Sequence, residues 1–345
     1  SSIKFTAGVP TDRRPPWSCA SACILLLFSV TSGVDGGKIL VWYTEVSHWI
    51  NMKLLLETLV DRGHQVTVLV PSTSMFIHSS EPSRFNYQPF DVSVSKEDFE
   101  NLLAEFIQFN MYDMDHMNYF QLYIKYMELF KINTEISLQF LDLRKGNYDV
   151  LLADPIYSGS DVTAEILGIP LVFSLRFSIA NNWERLCGQL PAPPSYVPGA
   201  VSRLTDKINF SERTWNLLFY VLKLLNGFHP VIMNMFVFLG TPTSACKMMG
   251  NADIWLLRTY WDFDFPRPLL PNFKFVGGIH CKPAKPLPKY FKKFVQSSGD
   301  DGIVVFSLGS IVKNLTTDKA NMIASALAQV PQKVRNGGIY RGALL

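Results

Sequence analysis

The chain has 345 residues, enough for two domains of ordinary size, and 48% of them are apolar. The formal net charge is only +3, and no long block of Lys and Arg occurs. This excludes nucleic acid as a predicted partner, because contact with its phosphate backbone requires clustered positive charge. The many Phe, Tyr and Trp residues indicate a large core, a lipophilic pocket or both.

The N-terminal region is typical of a secretory signal, and we assign residues 1–37 to it. Arg13 and Arg14 precede the apolar run ACILLLFSV at 22–30, and small residues follow. The run is too short to span a bilayer. A buried N-terminal strand or helix is the alternative interpretation.

The cysteines and two sequons also bear on the compartment. Beyond the signal region, Cys187, Cys246 and Cys281 are widely separated and predict neither a disulfide framework nor a metal site. Asn209 and Asn314 each begin an Asn-Xaa-Ser/Thr sequon and are glycosylation candidates, as expected of a chain that enters the endoplasmic reticulum.

The first half of the chain alternates predicted strands and helices. KILVWY at 38–43 is a buried strand, 49–62 has helical spacing, and QVTVLV at 65–70 is the next strand. A strand, a helix and a strand within this distance predict a βαβ unit and a parallel sheet. The pattern continues with a helical stretch at 96–143, a strand at 148–154, a helix at 161–167 and a strand at 171–174.

The second half contains an apolar helical stretch, more strands and a linker. Helical character is predicted for 212–238, and strands for 252–258 and 273–278. A linker rich in Pro and Lys follows at 281–295. Beyond it, a new unit is predicted to begin with a strand at 302–310 and a helix at 317–330.

A histidine and an aspartate are the first catalytic candidates. His48 follows the first strand, and Asp154 ends the strand at 148–154. Because ligands bind beyond the carboxyl ends of parallel strands, both side chains are expected at one edge of the sheet. A carboxylate that orients a histidine makes a general base. Alternatively, each residue only caps the segment that follows it.

Three further patterns each have a structural alternative. The turn at Gly309 and Ser310 after a strand could hold a phosphate, or it could be a plain tight turn. His116, within DMDHM, matches no common metal motif, and we interpret it as part of a solvated helix face. The apolar stretches at 96–130 and 212–238 could line a lipophilic pocket, form ordinary core or contact a membrane surface.

Several familiar motifs are absent from the sequence. We find no GxGxxG, no P-loop, no GxSxG, no HExxH and no paired CxxC. A dehydrogenase or a serine hydrolase therefore has no positive support.

Eight segments resemble the vertebrate UDP-glucuronosyltransferases, especially the branch that conjugates steroids and odorants and includes the olfactory enzymes. They are EVSHWINMK, RGHQVTVLVPS, GIPLVFSL, PPSYVP, ADIWLLR, FPRPLLPNFKFVGGIHCKPAKPLP, FVQSSG and VVFSLGS. The resemblance extends almost continuously from about residue 38 to residue 334. It implies an α/β fold of the GT-B type, with two facing Rossmann-like domains. The acceptor-binding domain would be 38–280, and 296–345 would be part of the domain that binds the UDP-sugar.

The resemblance also implies a chemistry and residue roles. The family transfers glucuronic acid from UDP-glucuronic acid, its co-substrate, to a hydroxyl of a lipophilic acceptor, with inversion and without a metal or other cofactor. By this resemblance, His48 is the base and Asp154 orients it. Ser310 would contact a donor phosphate, and Arg258 would reach the donor from the acceptor domain.

The sequence also departs from the family pattern. The Trp-Xaa-Pro-Gln and His-Gly-Gly segments that grip the nucleotide, and the C-terminal membrane helix, are not found in these 345 residues. We therefore expect a truncated donor domain and little activity from this chain alone. The alternative function is a silent family member that binds lipophiles or forms oligomers with itself or with longer relatives. The expected location is the lumenal side of the endoplasmic reticulum, at the membrane surface.

Overall fold

The computed structural model describes residues 36–78, 82–113, 116–117, 121, 124–125, 147–157, 159–176, 183–199, 202, 204–225, 245–309, 312 and 315–336. The strands are β1 Lys38–Val41, β2 Gln65–Pro71, β3 Asn86–Phe90, β4 Val150–Ala153, β5 Leu171–Leu175, β6 Ile254–Leu257, β7 Phe273–Phe275, β8 Ile303–Phe306 and β9 Lys333–Asn336. The helices are α1 Val46–Asp61, α2 Lys96–Gln108, α3 Ser160–Leu167, α4 Trp183–Leu186, α5 Phe210–Leu225, α6 Ala245–Gly250, α7 Lys289–Gln296 and α8 Thr317–Leu327. A π-helical turn, Phe109–Asp113, continues α2, and a 3₁₀ turn occupies Gly299–Asp301.

Seven parallel strands form the main sheet, in the order β3-β2-β1-β4-β5-β6-β7. This is the strand order of a doubly wound Rossmann sheet. It agrees with the α/β fold predicted from the sequence. The strand order reverses between β1 and β4, where Leu40 pairs with Leu151 and Val41 with Leu152. The crevice outside the carboxyl ends of these two strands is the usual ligand site of such a sheet.

Apolar side chains bury both faces of the sheet, as its uninterrupted hydrophobic strands require. Leu40 of β1 belongs to the core on one face, and its neighbours Ile39 and Val41 belong to the core on the other. Helix α1 packs Trp49, Met52 and Leu56 against the second of these cores. This packing fixes the start of α1 relative to the end of β1.

Several elements differ from the sequence prediction, and two of the differences bear on the site and its sheet. Helix α1 begins at Val46, three residues before the predicted start, so His48 lies inside the first turn of the helix rather than before it. Strand β3 was not predicted, because Asn86–Phe90 contains a proline and little apolar periodicity. A proline is tolerated there, because β3 is the edge strand of the sheet.

A second sheet of two parallel strands, β8 and β9, follows the predicted linker. Helix α8 lies between these strands in sequence, so the segment is a βαβ unit. Helix α7 occupies the second half of the segment predicted as a linker. A two-stranded sheet has little stability of its own, so this unit depends on its packing with neighbouring elements.

A disulfide corrects the interpretation of the cysteines. Cys187 and Cys246 are bonded, with sulfur atoms 2.03 Å apart, although 59 residues separate them in sequence. Spacing along the chain could not reveal this pair, since the fold alone brings α6 next to the segment after α4. Cys281 is a free, exposed cysteine. Among the described residues, no helix is both long enough and apolar enough to cross a membrane.

Candidate active site

The connection between β1 and α1 places His48 at the carboxyl edge of the sheet. Glu45 is the last residue before the helix, and the backbone N–H groups of His48 and Trp49 donate to its carbonyl. Val46, the first helical residue, has φ of +55°, which is unusual for a β-branched residue. His48 therefore follows, by two residues, a turn whose backbone conformation is strained.

Asp154 reaches His48 from the neighbouring strand. It follows β4 directly, and its Oδ2 lies 2.5 Å from Nδ1 of His48. The side chains are 4% and 13% exposed, respectively, so the pair is largely shielded from water. The structure thus brings together the two residues that the sequence predicted to meet, at the point where the strand order reverses.

The second oxygen of Asp154 also has a defined partner. The backbone N–H of Ile156 donates to Oδ1 at 3.1 Å, which leaves Oδ2 directed at the histidine. A carboxylate on Nδ1 fixes the proton at that nitrogen, so Nε2 is the ring nitrogen that can accept another proton. The arrangement can therefore act as a histidine base with an orienting carboxylate.

A chain of aromatic rings begins at His48. The ring of Tyr157 meets the imidazole of His48 edge to face, with centroids 5.9 Å apart. Tyr43 packs against Tyr157 at 5.3 Å and against Phe90 at 5.9 Å. Low polarity around the pair strengthens the attraction between Asp154 and any imidazolium that forms. Sequence reasoning missed Tyr157, because no recognised motif places a tyrosine three residues after an aspartate at the end of a strand.

Two buried acids were also missed. Glu45 is 2% exposed, and both of its carboxylate oxygens are buried. Burial raises the pKa of Glu45, an effect that Ser74 and nearby backbone N–H groups oppose. Burial likewise raises the pKa of Asp161, at the start of α3, to about 6. The charges of these side chains, set by their surroundings, could not be deduced from their positions in the sequence.

Arg258 lies at the same edge of the sheet, directly after β6. Its Nε donates to the carbonyl of Arg176 at 2.8 Å, and its backbone N–H donates to Leu175 at 3.0 Å. Burial, and then the charge of Arg176, lower the pKa of Arg258. One nitrogen of Arg258 is thus used to fix its own loop, and its contact with a donor remains a prediction. Ser310 and Asn314 lie outside the described residues.

Asn209 is exposed and directly precedes helix α5. Its Oδ1 accepts from the N–H of Glu212, whose carboxylate accepts from the N–H of Asn209. This reciprocal pair is a capping box. The cap uses the oxygen of the amide and not its nitrogen, to which a glycan would be attached.

An apolar cavity in the described part of the chain lies away from the His48–Asp154 pair. Within the described ranges, no three His, Cys, Asp or Glu side chains come together as a metal site would require. A cavity of about 520 Å³ lies beside the C-terminal half of α1, where Leu55, Leu59 and Arg62 face strand residues such as Ile39 and Val150. His48 is at the opposite end of the same helix.

Comparison with known proteins identifies the family. A family model described as "UDP-glucoronosyl and UDP-glucosyl transferase" matches residues 37–336. The chain is 48% identical to UDP-glucuronosyltransferase 2A3 of Cavia porcellus, with 92% of this chain and 63% of that protein covered. It is 46% identical to UDP-glucuronosyltransferase 2A2 of Homo sapiens, with 90% and 61% covered. The chain thus spans a little over three fifths of the length of these relatives.

Solved structures support the fold. The glycosyltransferase of kitacinnamycin matches with a TM-score of 0.52 at 15% identity, covering 90% of this chain and 67% of that one. UGT89C1 of Arabidopsis thaliana, complexed with quercetin, matches with a TM-score of 0.50 at 13% identity, covering 87% and 64%. At such identities the likeness shows the fold alone, which is the GT-B fold predicted from the sequence. The match of the family model and the identity to the mammalian enzymes together show that the chain belongs to the UDP-glucuronosyl and UDP-glucosyl transferase family.

Proposed function

We propose that this chain supplies the acceptor-binding domain and the general base of a UDP-glucuronosyltransferase that acts on a hydroxyl of a small lipophilic molecule such as a phenol, a steroid or an odorant. The observation that carries the proposal is the 2.5 Å contact between His48 Nδ1 and Asp154 Oδ2 at the switch point of the sheet. The proposed domain is 38–280, the linker is 281–295, and 296–345 belongs to the donor-binding part. Pairing with a second copy or with a longer relative remains a prediction.

The proposed reaction is a single displacement. Nε2 of His48 takes the proton of the acceptor hydroxyl while the acceptor oxygen forms a bond to the anomeric carbon of glucuronic acid. The bond from that carbon to the diphosphate oxygen breaks, UDP leaves with the electron pair, and the configuration inverts. Asp154 stabilises the imidazolium that results, because its Oδ2 lies on the opposite ring nitrogen.

The proposed donor contacts are Ser310, at a phosphate, and Arg258. Arg258 suits this role because a guanidinium binds carboxylate or phosphate through paired N–H donors. Its Nε donates to Arg176, so the terminal nitrogens of the guanidinium would make the contact. Substitution of Arg258 by Lys tests the role, since a Lys keeps the charge and loses the paired geometry.

The proposed compartment is the lumen of the endoplasmic reticulum, in contact with its membrane. The Cys187–Cys246 disulfide supports an oxidising compartment, and the exposed sequon at Asn209 suits glycosylation there. Exposed apolar side chains on α5, among them Trp215, Leu218 and Leu222, are consistent with contact with a lipid surface.

The test uses a fusion of residues 37–336 with the remaining C-terminal part of the Cavia porcellus relative. Transfer from radiolabelled UDP-glucuronic acid to a phenol is measured for the fusion and for its His48→Ala variant. We expect the substitution to lower kcat by about 10²- to 10⁴-fold, the usual contribution of a general base. His280→Ala, at an exposed position after β7, is the matched control and should leave transfer unchanged. Transfer that survives His48→Ala would overturn the assignment.

A second candidate function is binding of lipophiles without transfer. The fusion distinguishes the two: acceptor binding measured by calorimetry, together with no radiolabelled product from the fusion, favours the silent form.

A further inference from the structure

The turn after β4 carries a second side chain directed at the catalytic connection. The backbone N–H of Tyr157 donates to the carbonyl of Asp154 at 3.1 Å, and the N–H of Ile156 donates to the carboxylate of Asp154. Asp154 and Tyr157 are therefore held in one hydrogen-bonded turn. Whatever fixes this turn fixes the carboxylate and the phenol together.

The hydroxyl of Tyr157 reaches the backbone of Glu45, which precedes helix α1. It accepts from the N–H of Glu45 at 3.1 Å and donates to the carbonyl of the same residue at 3.5 Å. The second distance is at the limit for a hydrogen bond, so the first contact is the stronger. One hydroxyl thus contacts both the N–H and the carbonyl of Glu45, the residue that begins the turn to His48.

That turn needs a restraint from outside itself. Val46 has φ of +55°, and no side chain of the preceding residue caps the first turn of the helix. Strained backbone conformations persist only where surrounding contacts fix them. Tyr157 supplies such a contact one residue before the strain and three residues before His48.

The ring and the protonation state of Tyr157 suit the same purpose. The ring lies edge to face against the imidazole at 5.9 Å, which restricts rotation of the His48 side chain. Burial, and then the negative charge of Asp154, raise the pKa of Tyr157 above its ordinary value. The phenol therefore remains protonated and can donate its hydrogen bond throughout the neutral range.

We propose that Tyr157 is a positioning residue: its hydroxyl holds the strained turn at Glu45 and Val46 so that Nδ1 of His48 stays on the carboxylate of Asp154. The inference rests on the proposed function, in which His48 is the base. It adds a residue that touches neither substrate in that mechanism and acts through His48.

The test measures the histidine ring directly on the 345-residue chain. In ¹⁵N-histidine NMR, the two ring nitrogens report the ratio of the Nδ1–H to the Nε2–H tautomer of His48. Loss of one hydrogen bond in Tyr157→Phe should move this ratio by about fivefold toward Nε2–H. Tyr148→Phe is the matched control, because it removes a hydroxyl that donates to Gln88 at 3.2 Å between β3 and the start of β4. The ratio should stay unchanged in that variant.

An unchanged His48 tautomer ratio in folded Tyr157→Phe would overturn the proposal. A second measurement does not depend on the variant: hydrogen exchange of the Glu45 amide in the unsubstituted chain. An exchange rate at least tenfold slower than that of an exposed amide is expected, and an unprotected amide would also overturn the proposal. The proposed function fails in a different way, through transfer activity that survives His48→Ala in the fusion.

Discussion

Oδ2 of Asp154 lies 2.5 Å from Nδ1 of His48, although 106 residues separate the two in sequence. Each side chain follows one of two adjacent parallel strands, β4 and β1, so the sheet alone brings them together. The contact depends on the negative charge of Asp154, which substitution by Asn would remove.

Asp154→Asn should lower transfer by the fusion about 10²- to 10⁴-fold, since an amide neither stabilises the imidazolium nor enforces the Nδ1–H tautomer. The substitution keeps the size of the side chain, so KM for the acceptor should change little. Initial rates at several acceptor concentrations separate kcat from KM. Asp206→Asn, at an exposed position before α5, is the control. A rise in KM with an unchanged kcat would assign Asp154 to binding instead.

The sequence predicted the contact between His48 and Asp154 because residues that follow parallel strands lie at the same edge of the sheet. An apolar run followed by a polar junction marked the ends of β1 and β4, and the rule for the carboxyl edge then placed His48 and Asp154 together. The order β3-β2-β1-β4 could not be read from the pattern, because it depends on which strands pair across the fold. Strand β3 was missed for a local reason, since Pro89 is acceptable only at an edge.

The contacts of Tyr157 and the Cys187–Cys246 bond were beyond sequence reasoning. Both join segments that are far apart in the chain, and no local pattern records which side chains will meet. The burial of the Glu45 carboxylate could not be predicted from the sequence either. Its position between an apolar strand and a helix predicts a cap, whereas packing of the surrounding chain leaves it inside the protein.

Asp161 should make the stability of the chain depend on pH. Burial raises its pKa to about 6 in the folded state, above the value of about 4 expected when unfolded. The folded state therefore binds the proton of Asp161 more tightly than the unfolded state does. The resulting contribution of Asp161 to the free energy of unfolding is fully present below pH 4 and is lost as pH rises through 6. Asp161→Asn should be more stable than the unsubstituted chain at pH 7.5, by at most about 3 kcal/mol, and no more stable at pH 4.

Urea unfolding of both proteins at the two pH values checks this prediction. The difference between the proteins isolates Asp161, because every other titrating group is common to both. Asp253→Asn would not serve as a control, since its carboxylate accepts from the N–H of Leu171. Asp262, in the exposed loop after β6, is suitable. Equal stability of Asp161→Asn and the unsubstituted chain at pH 7.5 would contradict the prediction.

Asn209 should carry a glycan when the chain is made in the secretory pathway of a mammalian cell. The residue is exposed, and its amide nitrogen takes no part in the cap of α5. Ser211→Ala removes the sequon and leaves the capping box of Asn209 and Glu212 intact, so it should abolish the glycan without loss of stability. Asn209→Gln should abolish the glycan and also cost about 1 kcal/mol through the lost cap. Mass spectrometry and thermal unfolding measure the two effects, and an unmodified Asn209 would refute the first.

The disulfide should contribute about 4 kcal/mol to the free energy of unfolding. It closes a loop between residues 59 apart in sequence, and in the chain-entropy account a loop of this length strongly restricts the unfolded state. The double variant Cys187→Ser with Cys246→Ser should therefore unfold at a clearly lower urea concentration. Cys281→Ser, at an exposed free cysteine, is the matched control and should unfold as the unsubstituted chain does. Equal midpoints for all three proteins would show that the bond adds nothing.

The second sheet should cause the chain to self-associate. Val305, in the middle of β8, is 63% exposed. Within the described ranges, β8 and β9 pair only with each other, so each offers an open edge to other molecules. Val305 pairs with Arg335 of β9, so Val305→Glu places opposite charges across the two strands and removes apolar surface. This variant should lower the associated fraction in sedimentation velocity several-fold. Asn251→Glu introduces the same charge at an exposed position before β6 and should not lower it. Both variants change the net charge equally, so a lower associated fraction in both would assign the association to net charge rather than to β8. An unsubstituted chain that is monomeric at high concentration would contradict the prediction.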